Sequence, residues 1–417
     1  MKIEENKKTV NLSEEQSISL KILSIIFMLY IASTIIFRMQ YIYITYMIDL
    51  MIICMFILLL YMKKIKLYSG NKIVFAYFMF AIFSLMSSFW AKDFNMAMLK
   101  SFQLVSISIN IFIIFNIIKN YHIDNYFIYG VLIGSFFNYL FAFELVPSPV
   151  EIYLVDRLQG TVGNPNALSV VMIISIFLSI VYLTKEKEKS NIFLYYYQYI
   201  NIILALYLII MSVSRKGIVF GFALVFLQIL MSMKDVKSFL RFASMSAIGI
   251  FVFMNFINLD DLWALYDKII YRFDVLGEGL AHTDSRAGST GIRLYLAEIG
   301  LELFENHPLV GVGINNFRAY SPGGLYSHNN YVELLAGVGL IGTMTFYSIY
   351  VFIFQKILRV YKTDIKFIFT FFLIVLLGMD MASVSYYNKL ILYTLLITYM
   401  LLEKNIDDKE KNNAKKN

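Results

Sequence analysis

Charge is scarce in this chain of 417 residues: 16% is Asp, Glu, Lys or Arg, against 59% hydrophobic, for a mean hydropathy of +0.67. Soluble domains carry about a quarter charged residues, so the composition excludes an ordinary water-facing surface and implies a polytopic membrane protein. Cysteine is scarcer still. The single one, Cys54, lies inside the apolar run IDLMIICMFILLLY, which excludes a disulfide framework and a cysteine-rich metal site and leaves a small apolar side chain facing lipid or another helix. The four histidines, His122, His282, His307 and His328, are scattered and have no His-x-x-x-His spacing or acidic cluster beside them. The sequence therefore implies no bound metal and no other cofactor. It also lacks a phosphate-cradling P-loop, which excludes ATP as the driving force.

What is present in quantity is apolar sequence of membrane-crossing length. A hydrocarbon core of roughly 30 Å needs about 20 apolar residues in helix. Such stretches fall at 18–37, 41–61, 73–90, 103–118, 126–146, 167–183, 192–213, 217–231, 238–257, 331–354, 367–380 and 388–402. These are twelve candidate spans, of which 217–231 and 367–380 are short enough to be half-helices. The first follows a polar leader without a small-residue cleavage pattern, so it reads as a spanning helix and not as a signal peptide. The net charge of +7 lies in short clusters between apolar runs, which argues for orientation in a lipid bilayer and against a nucleic-acid partner. With both termini cytoplasmic, 24 of the 36 Lys and Arg fall on the inner side, as the positive-inside rule requires.

The expected organisation is a cytoplasmic tail over 1–17, one integral membrane domain over 18–402 and a charged cytoplasmic tail over 403–417. Two outer segments are long, 147–166 and 258–330. The second exceeds what a connector needs, and its helical spacing in LDDLWALYDKIIYRFDVL and TGIRLYLAEIGLELF predicts short helices on the outer membrane face. The fold class is therefore all-α: a polytopic bundle of about twelve transmembrane helices with a large extracytoplasmic loop.

Four polar clusters interrupt this background, all on the predicted outer side. In DRLQGTVGNPNALS, Asn164 before Pro165 reads as a helix cap, while Arg157 faces either headgroups or a site. In SVSRKGIVFG, Arg215 lies beside two serines able to hydrogen-bond it, and Lys216 reads as snorkelling to lipid phosphates. In STGIRLYLAEIGLELFENHPLVGVGINNFRAY, Ile292, Tyr295, Leu296, Ile299 and Leu303 share one helix face and Thr290 is the expected N-cap. Arg293 then falls in the first turn, where a cation opposes the helix dipole at a cost of roughly 0.3–1 kcal/mol. That broken rule marks either an anion site or a pairing with a nearby acid such as Glu298. The segment GVG at Gly311–Gly313 reads only as a turn. In SHNNYVELLAGVGLIG, Asn330 and Glu333 have capping-box spacing, which leaves His328 as interfacial decoration or a proton-handling group.

In order and spacing, these four clusters resemble the O-antigen ligase and polymerase superfamily of bacterial envelope enzymes, over about residues 150–345. The resemblance implies a fold like the GT-C-type lipid-dependent glycosyltransferases and a site on the extracytoplasmic face of the bacterial cytoplasmic (inner) membrane. The implied partners are an undecaprenyl pyrophosphate-linked oligosaccharide donor, a glycan acceptor and the lipid bilayer, with a flippase and a chain-length regulator beside them. Arg215 and Arg293 fall where family arginines engage the pyrophosphate, and His328 where the family histidine meets the reacting sugar. These three are the implied catalytic residues, with Arg157, Asn164, Asn166, Arg318 and Asn329 as substrate-binding candidates. The implied reaction is attack of an acceptor hydroxyl on the anomeric carbon, with inversion and loss of undecaprenyl pyrophosphate. The shared motifs do not separate polymerase from ligase. Richness in Ile, Lys, Asn, Tyr and Phe points to an AT-rich genome and favours a capsule or exopolysaccharide repeat-unit polymerase over an O-antigen-type ligase. A lipid-linked sugar transporter is the rival from another class.

Overall fold

The computed structural model describes residues 14–37, 42–148, 150–154, 157–185, 191–232 and 288–414, with scattered helical residues between 236 and 271. Helices dominate it. In chain order they are α1 (Glu14–Ile36), α2 (Ile42–Tyr61), α3 (Lys72–Ser87), α4 (Phe94–Tyr121), α5 (Asp124–Ala142), α6 (Pro165–Lys185), α7 (Ile192–Met211), α8 (Arg215–Ser232), α9 (Gly288–Asn306), α10 (Asn330–Arg359), α11 (Thr363–Asp380) and α12 (Lys389–Ala414). Six of them, α2, α3 with its 3-10 extension to Trp90, α4, α6, α7 and α10, are long and apolar enough to cross a membrane. Eleven of the twelve predicted spans coincide with a helix, and the range 238–257 lies largely outside the described residues. The all-α expectation needs one small amendment, an antiparallel pair of two-residue strands, Tyr153–Leu154 with Arg157–Leu158.

The bundle is built around α6, of whose membrane-length window 89% is buried. Other helices, α5, α7, α8, α11 and α12, surround α6. Its small polar residues are satisfied inside the core: the Asn201 amide nitrogen of α7 donates to Ser175 Oγ at 3.0 Å and Ser179 Oγ at 2.9 Å. The Asn201 carbonyl oxygen accepts from the Tyr139 hydroxyl of α5 at 2.7 Å. Polar glue of this kind holds helices together where the solvent offers no hydrophobic drive. Phe177 stacks on Phe372 of α11 at 3.5 Å, which ties in the C-terminal helices. α5 meets α1 through Gly130 and Gly134, a small-xxx-small face, and a Cβ on Gly130 would stand 2.7 Å from Ile31 Cβ. α2 is the peripheral element, with 17% of its span buried and Cys54 exposed on it.

Several boundaries differ from the sequence reading. Asp93 caps α4 by accepting from the Met96 amide at 2.9 Å, so this helix starts well before the predicted 103. The ranges suspected of being half-helices are unbroken helices of 18 residues each, α8 and α11, and neither is among the six of membrane-crossing length and apolarity. α9 starts at Gly288, so Thr290 lies inside the helix and is not its cap. Arg293 then falls in the second turn, where the opposition between cation and dipole is weaker than in the first. Leu296, Ile299 and Leu303 do share a packed face, against Phe317 and Ala336, but Ile292 is 41% exposed.

The broken helix is α10. At Gly339 the backbone turns to φ 62° and ψ −165°, a region only glycine occupies at low cost. The break frees backbone groups that lipid cannot satisfy, and the segment 308–313 takes them up. Val312 and Gly313 amides donate to the Ala336 and Gly337 carbonyls at 2.9 and 2.8 Å, and the Leu340 and Ile341 amides donate to the Pro308 and Leu309 carbonyls at 2.8 and 3.1 Å. The GVG segment is thus more than a turn: it mends α10. A Cβ on Gly339 would lie 2.4 Å from the Leu309 carbonyl carbon. Gly339→Ala is therefore expected to cost at least about 1–3 kcal/mol from backbone strain alone, read as a clear drop in unfolding temperature in detergent. Gly70→Ala, where a Cβ meets nothing within 4 Å, serves as the unaffected control.

Candidate functional site

A cavity of about 340 Å³ opens at one end of the bundle, where α1 and α11 finish and α2, α6, α8, α10 and α12 begin. His328, Asn164 and Asn166 of the predicted site residues line it, together with Lys216, Tyr326 and Lys389.

His328 stands in a turn built for it. Ser327 donates its amide to Glu333 Oε2 at 2.9 Å and its hydroxyl to the Asn329 carbonyl at 2.7 Å. Asn329 then caps α10, its side-chain oxygen accepting from the Tyr331 and Val332 amides at 2.9 and 3.3 Å. The capping assignment thus moves one residue from the expected Asn330, and Glu333 reaches back to Ser327 and not to the cap. Between these anchors His328 adopts φ 57°, a left-handed conformation that strains a non-glycine residue. Its ring lies 3.9 Å from that of Tyr326. Arg318 sits over the other partner of this stack, its Cζ 5.2 Å from the Tyr326 ring centroid.

Asn330 is freed from capping for another task. Its amide nitrogen donates to the Tyr347 hydroxyl at 2.9 Å and to Asp380 Oδ2 at 3.2 Å, and its carbonyl oxygen accepts from the Ser385 and Tyr386 amides at 2.8 and 3.1 Å. The Tyr347 hydroxyl also donates to Asp380 Oδ2 at 2.9 Å. Asp380 is 1% exposed, so without these donors its carboxylate would be a costly buried charge. The network fixes the turn between α11 and α12, which forms one cavity wall.

The opposite wall comes from α6 and α8. Asn164 caps α6, accepting from the Asn166 and Ala167 amides at 2.9 and 3.1 Å, as its place before Pro165 predicts. Asn166 accepts from Ser214 Oγ at 3.0 Å and so ties α6 to the start of α8. Arg157 donates from Nε to the Ser212 carbonyl at 3.0 Å, which steadies the α7–α8 turn from beneath. Arg215 opens α8 half-buried and is not on the cavity lining; Lys216 is, with Nζ donating to the Ala382 carbonyl at 3.2 Å. The reading of Lys216 as a lipid-facing lysine is corrected by this contact.

Arg293 and Arg318 stand off the lining, yet their charges reach it. Burial pushes the His328 imidazole down to about 4, and Arg293, Lys216 and Arg318 push it the same way. His328 is therefore neutral at pH 7 in a field made positive by Arg293 and Arg318, while Lys216, lowered to about 7 by its own burial, adds to it in part. Among the described residues no group of three His, Cys, Asp or Glu side chains gathers to hold a metal ion.

Sequence reasoning missed three participants. Lys389 belongs to the few cations expected on the outer side, and Asp49 is an acid inside an apolar run, a signal that by itself marks functional sites in membranes. Tyr326 had no signal beyond its nearness to His328.

Part of the segment that carries this geometry matches a known family model. Residues 200–347 match a family model described as O-Antigen ligase. That match supports the resemblance to the O-antigen ligase and polymerase superfamily that the sequence motifs carry. It spans α7 to the first half of α10 and so contains Arg215, Lys216, Arg293, Arg318, His328 and Asn329, while Arg157, Asn164 and Asn166 lie before it. No curated protein matches the chain.

The His328 environment is directly measurable. In a chain with His122, His282 and His307 replaced by Gln, the imidazole NMR titration is expected to have its midpoint near 4, well below the usual value of about 6.5. Because the unfolded chain takes up this proton first, the group lowers stability as pH falls from about 6.5 to about 4. Arg318→Gln should move the midpoint upward; a midpoint unmoved and near 6.5 would contradict the cationic field.

Proposed function

We propose that this chain is a membrane glycosyltransferase that polymerises undecaprenyl pyrophosphate-linked oligosaccharide repeat units on the outer face of the bacterial cytoplasmic membrane. The observation that carries the reading is the neutral His328 on a cavity wall beside Lys216, within the field of Arg293 and Arg318, inside the segment that matches the O-Antigen ligase model. A pyrophosphate leaving group is an anion whose charge grows as the anomeric C–O bond breaks, and cations already in place stabilise that growth most. In the proposed step the acceptor hydroxyl oxygen forms the new glycosidic bond with inversion while the electron pair of the old bond departs on the pyrophosphate. The hydroxyl proton leaves through His328.

A histidine with a pKa near 4 is a weak base in the empty site. Donor binding changes this. The pyrophosphate brings negative charge next to the three cations that depress His328, and an opposite charge within a few ångströms raises the imidazole pKa. The base is thus armed only when the donor is present. Undecaprenyl pyrophosphate added to the labelled chain should therefore raise the His328 titration midpoint; a midpoint indifferent to the ligand would sink the arming step.

The description of the matched family favours a second reading, transfer of the finished glycan to another acceptor by a ligase. Transport is disfavoured by the gathering of polar groups at one end of the bundle and by the break in α10, which has no counterpart among the described helices. Glycan gels of a deletion strain complemented with Arg293→Ala or His328→Ala separate these readings. Loss of a transition-state donor costs about 10²–10³ in rate. Single repeat units in place of a ladder indicate a polymerase, and long chains left on the lipid carrier indicate a ligase. Normal polymer on its normal acceptor in both variants would refute the site.

A further inference from the structure

The cavity is electrostatically lopsided, and this asymmetry goes beyond the reading above. At the α8 and α10 side the charges acting on His328 are cationic, from Arg293, Lys216 and Arg318. At the α2, α4 and α12 side the one charged residue on the lining is Lys389, and it is paired with Asp49. Asp49 is 4% exposed on α2, and its second oxygen accepts from the Tyr30 hydroxyl at 3.2 Å. The Tyr30 hydroxyl shares a hydrogen bond with Tyr393 of α12 at 3.0 Å. This is a costly arrangement: Asp49 is taken out of water within α2 and Lys389 is largely buried beside it, where an apolar pair of similar volume would be about as stable or more so. Such a pair is worth keeping if the lysine is needed where it stands.

Pairing with Asp49 removes the net charge but not the donors. An ammonium has three N–H groups, and Asp49 takes one. On this side the lining includes the neutral hydrogen-bonding groups of Thr34, Thr45, Gln103, Ser106 and Asn388 beside the apolar Val384, Leu390 and Ile391. Lys100 donates to the Gln103 carbonyl oxygen at 2.9 Å, which leaves the Gln103 amide nitrogen as the donor end. The same Lys100 lies 3.8 Å from the centroid of the Tyr387 ring, another lining residue. A pocket whose one lining charge on this side is paired, with hydroxyl, amide and aromatic side chains beside it, suits a polyhydroxylated ligand.

We propose that this half of the cavity is the acceptor subsite, in which Lys389, held by Asp49, and Gln103, oriented by Lys100, bind the hydroxyl groups of the acceptor glycan's terminal sugar. The assignment to the acceptor rests on the transferase reading. In an inverting displacement the attacking hydroxyl enters opposite the leaving group, so an anion-binding half and a sugar-binding half must face each other across the reacting carbon. His328 and Asn166 line the same cavity.

The test uses the full chain in nanodiscs and a fluorescent oligosaccharide of one repeat unit from the producing strain, with undecaprenyl pyrophosphate as the second probe. Lys389→Met alone leaves Asp49 buried without its cation, so the pair is removed together as Asp49→Asn with Lys389→Met, and Gln103→Leu is tested separately. Both variants are expected to bind the oligosaccharide about tenfold or more weakly, the order of a lost hydrogen bond to a charged or fixed donor, with undecaprenyl pyrophosphate affinity and unfolding temperature unchanged. Unchanged oligosaccharide binding, or weaker pyrophosphate binding in its place, overturns the subsite. Absence of oligosaccharide binding in the wild-type chain overturns it too. A wild-type chain that binds the oligosaccharide and transfers none of the lipid-linked glycan refutes the transferase reading while leaving the sugar subsite supported.

Discussion

The carboxamide of Asn330 is the joint on which the site turns. Every hydrogen bond it makes is to a different part of the structure: Tyr347 within α10, Asp380 at the end of α11, and the Ser385 and Tyr386 amides of the turn into α12. A side-chain amide offers two donors and two lone pairs, and here all are used. In a medium without water none could be given up cheaply. The start of α10 is thereby locked to the wall that carries Ala382, Asn388 and Lys389, and His328, two residues before Asn330, is held against that wall. Lys216 closes the ring by donating to Ala382 from α8.

Strain and field then act on the same residue. His328 is held in a left-handed conformation between Ser327 and Asn329, both committed to local hydrogen bonds. Three cations reach it from α8, α9 and the 3-10 turn at Asn316–Ala319. Arg318 there has a buried Nε with no hydrogen-bond partner among the described residues, so part of its charge is spent only through Tyr326 and space. Unsatisfied groups and strained backbone are features that cluster at functional sites, and here an unsatisfied arginine nitrogen and a strained histidine flank the same Tyr326 ring.

Much of the fold was legible because a bilayer imposes one period and one length on the chain. Apolar runs located eleven helices, and cap chemistry at Asn164 was read correctly from Asn-Pro. What was not legible depends on partners distant in sequence. Asn329 and Asn330 are equally good caps by composition; only the presence of Asp380 and the α11–α12 turn decides which of them is drawn inward. Lys216 looked like a snorkelling lysine because its acceptor, the Ala382 carbonyl, lies 166 residues away. The break in α10 was hidden for the same reason. LLAGVGLIG reads as a continuous packing face until the GVG segment supplies the hydrogen bonds that make a break affordable.

That break also explains how the segment from 308 to 329 is built into the bundle. Residues 308–313 pair with α10 at 336–341, so the chain that leaves α9 is stitched into the membrane end of the bundle before it returns to His328. Ile314 continues the stitch by donating its amide to Ser87 Oγ at 3.0 Å, and Asn316 bonds the Asp93 amide at 2.7 Å. Arg318 is therefore held by the α3–α4 junction as firmly as by its own neighbours. A loop fastened at three such points has little freedom to open. It presents its arginine to the cavity as a fixed charge, and preorganised charge is what stabilises a departing anion without reorganisation at the moment of reaction.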